Sequence, residues 1–217
     1  AVKVLANIQA VWWGKVETEE LEWIPSMVGP RIEYVDQVLT QVYPVFAEAF
    51  ASTLPKGGAE LTEQFSQSYL SLNRQLAERA PWTLAHQDYR VENMLFGDVG
   101  TDQVVVIDWQ GIGRGPGAYD LAYLLGGSMD TDLRRAHERE LVAAYQARLA
   151  DNGVEDYSVE SAWEDYGFAH LLGGLATSIF AGGTLDLSNE RGVELITMMA
   201  NRHVTAALDH GGFKDLS

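Results

Sequence analysis

Two stretches in the middle of the chain decide its fold. The first reads Leu84-Ala85-His86-Gln87-Asp88-Tyr89-Arg90-Val91-Glu92-Asn93-Met94-Leu95-Phe96, and the second reads Val104-Val105-Val106-Ile107-Asp108-Trp109. Residues 93–96 and the β-branched run 104–107 predict two short strands. The segment between them, residues 98–102, is rich in turn-forming residues. We therefore expect an antiparallel β-hairpin whose open end carries polar side chains.

The predicted hairpin brings two of these polar side chains together. A turn centred between Gly100 and Thr101 would place Asn93 opposite Asp108. Opposite residues of an antiparallel pair lie about 4.5–5.5 Å apart. Asp88 lies on the loop that leads to the same end. Three oxygen-bearing side chains are therefore expected at one point.

Such a group of side chains suits a divalent cation. The amide oxygen of Asn93 and the carboxylate of Asp108 are hard ligands, which Mg²⁺ prefers. Asp88, beside the ion but not needed to hold it, could accept a proton from an attacking hydroxyl. These are the parts of a phosphoryl-transfer site, where positioning and charge neutralisation supply most of the catalysis.

These residues also resemble a known group of enzymes. The pattern His86-x-Asp88-x-x-x-x-Asn93, followed by a strand that ends in Asp108, is similar to the catalytic loop and metal-binding aspartate of protein-kinase-like enzymes. Three runs of residues resemble motifs of the small-molecule branch of these enzymes, which includes aminoglycoside phosphotransferases, choline kinases and ecdysteroid-kinase-like proteins. They are the runs His86-Gln87-Asp88-Tyr89-Arg90, Ile107-Asp108-Trp109-Gln110 and Gly115-Pro116-Gly117-Ala118-Tyr119-Asp120-Leu121-Ala122.

The resemblance implies transfer of the γ-phosphate of ATP to a hydroxyl of a small molecule. Asp88 would be the catalytic base, and Asn93 and Asp108 would bind the Mg²⁺ that bridges the nucleotide phosphates. Arg90 would contact the transferred phosphate, or else form a salt bridge to Glu92 or to a carboxylate on the substrate side. Two other readings stay open: a non-catalytic kinase-like binding module and a Mg²⁺-dependent phosphohydrolase.

The resemblance also implies two supporting residues. His86 would brace the catalytic loop, and Asp120 would accept hydrogen bonds from the backbone N–H groups of that loop. The glycine-rich run after Asp108 needs a separate interpretation, because Gly113, Gly115 and Ala118 fit a dinucleotide-binding pattern. No second parallel strand follows this run, so we expect a flexible loop there.

The amino-acid composition excludes several classes of binding partner and of metal site. The 217 residues include 15 basic and 31 acidic side chains, for a net charge of −16. This charge argues against nucleic acid or an anionic membrane surface as the partner, and acidic residues in a cleft would favour a cationic substrate. The chain has no cysteine, which excludes disulfides and thiolate metal sites and suits the cytoplasm. No apolar run is long enough to span a bilayer.

The expected architecture is mainly α with a small central β-hairpin, as in the C-terminal lobe of a protein-kinase-like fold. We divide this lobe, residues 1–217, into a helical substrate-side segment (1–82), the catalytic loop and metal-binding hairpin (83–127), and C-terminal helices (128–217). Nothing before residue 83 predicts a strand-rich sheet. We therefore expect the N-terminal lobe to precede Ala1 on the same polypeptide, and this chain alone to be inactive.

Hydrophobic periodicity predicts the helices around the hairpin. They are expected at 1–13, 32–53 with a kink or break at Pro44, 61–76, 118–127, 132–151, 158–181 and 189–209. The histidines outside the motif have no metal-ligand spacing, so surface or core roles are expected for His137, His170, His203 and His210.

Overall fold

A computed structural model describes residues 1–98, 100–101 and 103–214. Its α-helices are α1 (Val2–Trp12), α2 (Pro30–Phe50), α3 (Gly58–Ser66), α4 (Tyr69–Arg79), α5 (Ala118–Ser128), α6 (Thr131–Asp151), α7 (Val159–Ala169), α8 (Gly173–Thr184) and α9 (Glu190–Asp209). Its strands are β1 (Trp82–Ala85), β2 (Met94–Phe96), β3 (Val104–Val106) and β4 (Gly113–Pro116). Strands β1 and β4 form one antiparallel pair, and β2 and β3 form another. The predicted fold class, mainly α with a small β element, is confirmed.

Helix α5 forms the centre of the core. Its residues from Ala118 to Gly126 are buried, as expected of a helix that is apolar on nearly every side. Helices α1, α6, α7, α8 and α9 all pack against it. The one acidic residue in this buried run is Asp120. Its carboxylate lies in the core, next to the backbone of the catalytic loop. Among the described helices, none is long and apolar enough to cross a membrane.

Two predicted helices are each divided in the structure. The helix expected at 61–76 is the pair α3 and α4, and the helix expected at 158–181 is the pair α7 and α8. Asp36 of α2 explains the first break, because its carboxylate accepts a hydrogen bond from the backbone N–H of Leu70 at 3.1 Å and so caps the start of α4. Of the kink or break expected at Pro44, the break is absent, because α2 continues through this residue.

The hairpin forms with a register shifted by one residue from the prediction. Leu95 pairs with Val105 rather than with Val106. The loop is closed by a hydrogen bond from the Gly97 N–H to the Gln103 carbonyl at 2.9 Å. The hairpin is therefore centred on Gly100 itself, whose φ of 92° suits a glycine in a turn.

The glycine-rich run after Asp108 is a strand, β4, and the expectation of a flexible loop is wrong. Gly113 pairs with Ala85 in an antiparallel ladder. A Cβ on Gly115 would lie 2.2 Å from the sulfur of Met27, so the glycine lets the strand approach the buried segment before α2. Both described sheets are antiparallel pairs, which agrees with the rejection of a dinucleotide-binding unit.

Candidate active site

The catalytic loop is fixed from below by Asp120. The carboxylate of this fully buried residue accepts hydrogen bonds from the backbone N–H groups of His86 at 2.7 Å and Gln87 at 2.8 Å. A third bond comes from the side-chain amide of Gln9 at 3.1 Å. Burial raises the pKa of Asp120 to about 6, while the three N–H donors oppose this shift. The carboxylate is therefore ionised at neutral pH and orients the loop.

His86 connects the catalytic loop to the end of β3. The buried ring accepts a hydrogen bond at Nδ1 from the Asp88 N–H at 3.3 Å. Its Nε2 lies 2.9 Å from the Ile107 carbonyl oxygen. Since Nδ1 accepts, the proton is on Nε2, which donates to Ile107. The imidazole therefore holds the loop that carries Asp88 against the strand that leads to Asp108.

Backbone strain is concentrated at the two ends of this site. Among the described residues, the non-glycine residues with positive φ are Gln87, at 66°, and Asp108, at 64°. Gln87 directly precedes Asp88 in the chain. Such a conformation costs about 1–3 kcal/mol, and it is commonly kept where function requires an unusual side-chain direction.

Asp88 has two side-chain partners that the sequence singled out. The Nδ2 atom of Asn93 donates to the Asp88 carboxylate at 2.8 Å and to its backbone carbonyl at 2.9 Å. The Nε atom of Arg90 lies 3.2 Å from the other carboxylate oxygen. Among the described residues, Arg90 therefore pairs with Asp88, and not with Glu92 or a substrate-side carboxylate. The Asp88 side chain is 32% exposed, so a substrate can reach it.

Tyr123 is a further neighbour of Asp88 that sequence reasoning did not find. It lies on α5, one turn beyond Asp120, and its ring is buried. Burial raises the pKa of Tyr123, the hydrogen bond with Thr177 lowers it, and the nearby Asp88 carboxylate raises it. The phenol therefore stays protonated, beside the carboxylate and within reach of α8.

The two predicted metal ligands both lie at the open end of the hairpin, but they are not directly opposite each other. The N–H of Ile107 donates to the Asn93 carbonyl at 2.9 Å, so Asn93 faces Ile107 and Asp108 is the next residue. The predicted direct pairing of Asn93 with Asp108 is therefore wrong by one residue. Asp108 is exposed and makes no hydrogen bond or ion pair with another described residue. Its carboxylate is thus free for a ligand.

Arg31 at the start of α2 is a second residue that the sequence analysis missed. Its guanidinium donates to the side-chain oxygen of Gln87 and, at 3.1 Å, to the carbonyl of Gly111. It therefore ties the catalytic loop to the segment that follows Asp108. No local pattern marks Arg31. Gln9 did carry a signal, because it stands four residues after Leu5 on the apolar face of α1.

The hairpin presents an open apolar surface beside the site. Leu95 and Val105 are cross-strand partners and are 57% and 58% exposed. Ile107 follows on the same strand face and is 39% exposed. Large apolar side chains grouped on an exposed face commonly mark a contact surface for a ligand or another part of a protein.

Comparison with known proteins shows the family of the chain and a solved structure of similar fold. The ecdysteroid kinase-like family matches residues 24–155, more than half of the chain, and the chain therefore belongs to this family. The structure is similar to that of the spectinomycin phosphotransferase APH(9)-Ia, solved in complex with ADP and spectinomycin, with a TM-score of 0.56 and 13% sequence identity. No curated protein matches the chain significantly.

The structural match shows a shared fold and its extent. It covers 97% of this chain and 65% of the phosphotransferase chain. The chain thus has the fold of part of a kinase-like phosphotransferase and spans somewhat less than two thirds of its length.

Proposed function

We propose that this chain carries the catalytic base and the metal ligands of an ATP- and Mg²⁺-dependent small-molecule phosphotransferase. The observation that carries the proposal is the environment of Asp88. Its partly exposed carboxylate contacts Asn93 and Arg90. The preceding residue in the chain, Gln87, has a positive φ. Membership of the kinase-like family supports the same reaction class.

Asn93 and Asp108 are the proposed ligands of Mg²⁺. The amide nitrogen of Asn93 is used by Asp88, and no described residue donates to its amide oxygen. Together with the free carboxylate of Asp108, this oxygen gives the hard donor set that Mg²⁺ prefers. When bound, the ion supplies neutralisation of the negative charge on the phosphate oxygens.

Asp88 is the proposed base. As the acceptor oxygen forms its bond to the γ-phosphorus, the bond between that phosphorus and the leaving ADP oxygen breaks, and the hydroxyl proton passes to the Asp88 carboxylate. Arg90 would contact the transferred phosphate. Because its Nε lies beside Asp88, the terminal amino groups of the guanidinium would make that contact.

The proposed acceptor and nucleotide are supported by the ligands of the solved neighbour, by the net charge and by the apolar surface of the hairpin. The solved neighbour holds ADP and spectinomycin, and by analogy we propose a hydroxyl-bearing small molecule for this chain. The net charge of −16 favours a cationic acceptor. The apolar strip of Leu95, Val105 and Ile107 would contact the nucleotide base. We propose that an N-terminal lobe covers the phosphates.

The test is ADP release by the full-length natural protein, measured with ATP and a panel of hydroxylated small molecules. We expect release that requires both Mg²⁺ and an acceptor, and that is lost in Asp108→Asn. The matched control is Asp132→Asn, since this carboxylate is 99% exposed and Arg135 is its one ion-pair partner among the described residues. Phosphate release without an acceptor would favour a phosphohydrolase. Nucleotide binding without turnover would favour a binding module.

A further inference from the structure

A second cluster of polar side chains lies in the core where α6, α7 and α9 meet. It consists of Glu138 on α6, His170 directly after α7 and His210 directly after α9. One ligand atom of each residue lies within 4.8 Å of the others. The cluster shares no residue with the candidate active site, and the proposal below does not depend on the proposed function.

His170 is the unusual member of this cluster. It is 2% exposed, and neither of its ring nitrogens has a hydrogen-bond partner. A buried polar atom without a partner costs about 1–3 kcal/mol. Burial lowers the pKa of His170 well below its usual value, and His210 and Arg134 lower it further. In a neutral imidazole, a ring nitrogen without a hydrogen-bond partner has a free lone pair, as a metal ligand requires.

Glu138 supplies a charged oxygen to the same point. Burial raises its pKa, but hydrogen bonds from His210, Tyr166 and Arg134 outweigh this effect and lower the pKa below its usual value. Its carboxylate oxygen lies 3.3 Å from Nε2 of His210. The cluster thus offers one nitrogen of His170, one carboxylate oxygen of Glu138 and, when the proton of the neutral His210 ring lies on Nδ1, the Nε2 of His210.

Arg134 is the group that opposes a cation here. Its guanidinium contacts Glu138, and it also pairs with Asp209. Because Arg134 has this second carboxylate, it keeps a counter-charge when Glu138 turns to another cation. The negative charge of Asp209 also reduces the Coulomb repulsion between Arg134 and a bound ion.

We propose that Glu138, His170 and His210 form a binding site for a borderline transition-metal ion, with Zn²⁺ as its representative. Two nitrogens and one carboxylate match Zn²⁺, whereas Mg²⁺ and Ca²⁺ prefer oxygen ligands throughout. Bonds of about 2.0–2.2 Å require the ligand atoms to move together by roughly an ångström. They also require the stacked rings of His170 and His210, whose planes differ by 29°, to turn towards one point. The bound ion would join three helices that are distant in sequence.

The cluster reaches a surface cavity at His210. Its residues are far apart in the chain, which is why sequence analysis did not find it. A cavity of about 250 Å³ is lined by Trp163, Gly167 and His210 and opens at the surface. The three ligands stand 32 and 40 residues apart in the chain, so no local spacing announces them. The prediction of core or surface roles for His170 and His210 rested on that missing spacing.

The experiment is a Zn²⁺ titration of the chelator-treated chain, followed by calorimetry and thermal unfolding. We expect one ion per chain and a rise in Tm of about 5–10 °C at a hundredfold excess over Kd. His170→Phe should abolish both effects. It replaces the two unpartnered nitrogens with a ring of similar shape, so the metal-free variant should unfold at or above the Tm of the metal-free wild type.

The matched control is His137→Phe, which removes an exposed histidine of α6 and should leave Zn²⁺ binding unchanged. If His170→Phe does not fold by circular dichroism, His210→Gln provides the same test. Absence of Zn²⁺ binding by the wild type would overturn the proposal. So would a Tm shift that survives in the folded His170 or His210 variant, because the ion would then bind elsewhere on the surface.

Discussion

Asp88, the proposed base, has two side-chain partners, Asn93 and Arg90, which leave its carboxylate open to solvent. We predict that Asp88→Asn lowers kcat of the full-length protein by about 10²–10⁴-fold. Asparagine has the same shape and can still accept the hydrogen bond that Asn93 now gives to Asp88, but it cannot take the proton of the acceptor. The measurement is steady-state ADP release, with Asp132→Asn as the control. A kcat within about twofold of wild type would show that Asp88 is not the base.

The buried carboxylate of Asp120 contacts the backbone of the catalytic loop, so we expect this residue to act through the loop and not on the substrate. We predict that Asp120→Asn lowers the free energy of unfolding by about 2–3 kcal/mol. The reason is that an amide can turn only one oxygen towards the three N–H donors of His86, Gln87 and Gln9. Urea unfolding of this chain measures the change. An unfolding free energy equal to that of Asp132→Asn would contradict the role of these hydrogen bonds.

At this scale the sequence predicts residues that belong to a contiguous motif. Asp88 and Asn93 are five residues apart, and their contact follows from that spacing. The contact of Arg31 with Gln87 joins residues 56 positions apart. It depends on how α2 packs beside the loop, which no local pattern encodes. Tyr123 is hidden for the same reason, because it is one apolar residue among many in the run that forms α5.

At the scale of elements, periodicity locates helices better than it locates their ends. Residues on both sides of the α3–α4 break, such as Phe65 and Leu72, face one core, so the apolar pattern continues across it. The break depends on Asp36 of another helix. The hairpin register was missed for a related reason, since a shift of one residue depends on whether Gly100 or the following bond lies at the centre of the loop.

Strand β4 gives the prediction at this scale. We expect Gly115→Ala to lower the free energy of unfolding by about 1–3 kcal/mol, because overpacking displaces neighbouring atoms. The new methyl would lie 2.2 Å from the sulfur of Met27 and 2.8 Å from its Cβ, so a rotation of the side chain alone cannot make room. Urea unfolding measures the loss.

Met27→Ala supplies the control for this prediction. In the double variant, the loss due to Gly115→Ala should shrink, because the sulfur and Cγ of Met27 that the methyl would meet are gone. Equal losses in the presence and absence of the Met27 side chain would contradict the steric explanation.

At the scale of the whole molecule, buried histidines link stability to pH. Burial, with a smaller contribution from Arg202, lowers the pKa of His203 to about 4, and burial lowers that of His170 as well. In the unfolded chain both return to about 6.5. Between these values the unfolded chain binds more protons. The stability contributed by neutral histidines is therefore complete above about pH 6.5 and is lost as the pH falls towards 4.

Asp120 works against this trend, since burial raises its pKa to about 6. The stability that its protonated form adds is present at low pH, and this proton-linked part is lost as the pH rises from about 4 to 6. The dependence of the wild-type unfolding free energy on pH is therefore the sum of two opposing contributions, one from the histidines and one from Asp120. The contribution of His203 is isolated only by comparison with a variant that lacks it.

We predict that wild type and His203→Gln converge in stability as the pH falls. Between pH 7 and 4.5 the wild type should lose about 2–3 kcal/mol more than the variant, because glutamine does not titrate. Urea unfolding in the presence of a chelator measures both curves and keeps metal binding out of the comparison. His137→Gln, at an exposed position of α6, should run parallel to the wild type. If His203→Gln also runs parallel, the protonation of His203 is not coupled to unfolding, and its ring is solvated or hydrogen-bonded in a way that offsets its burial.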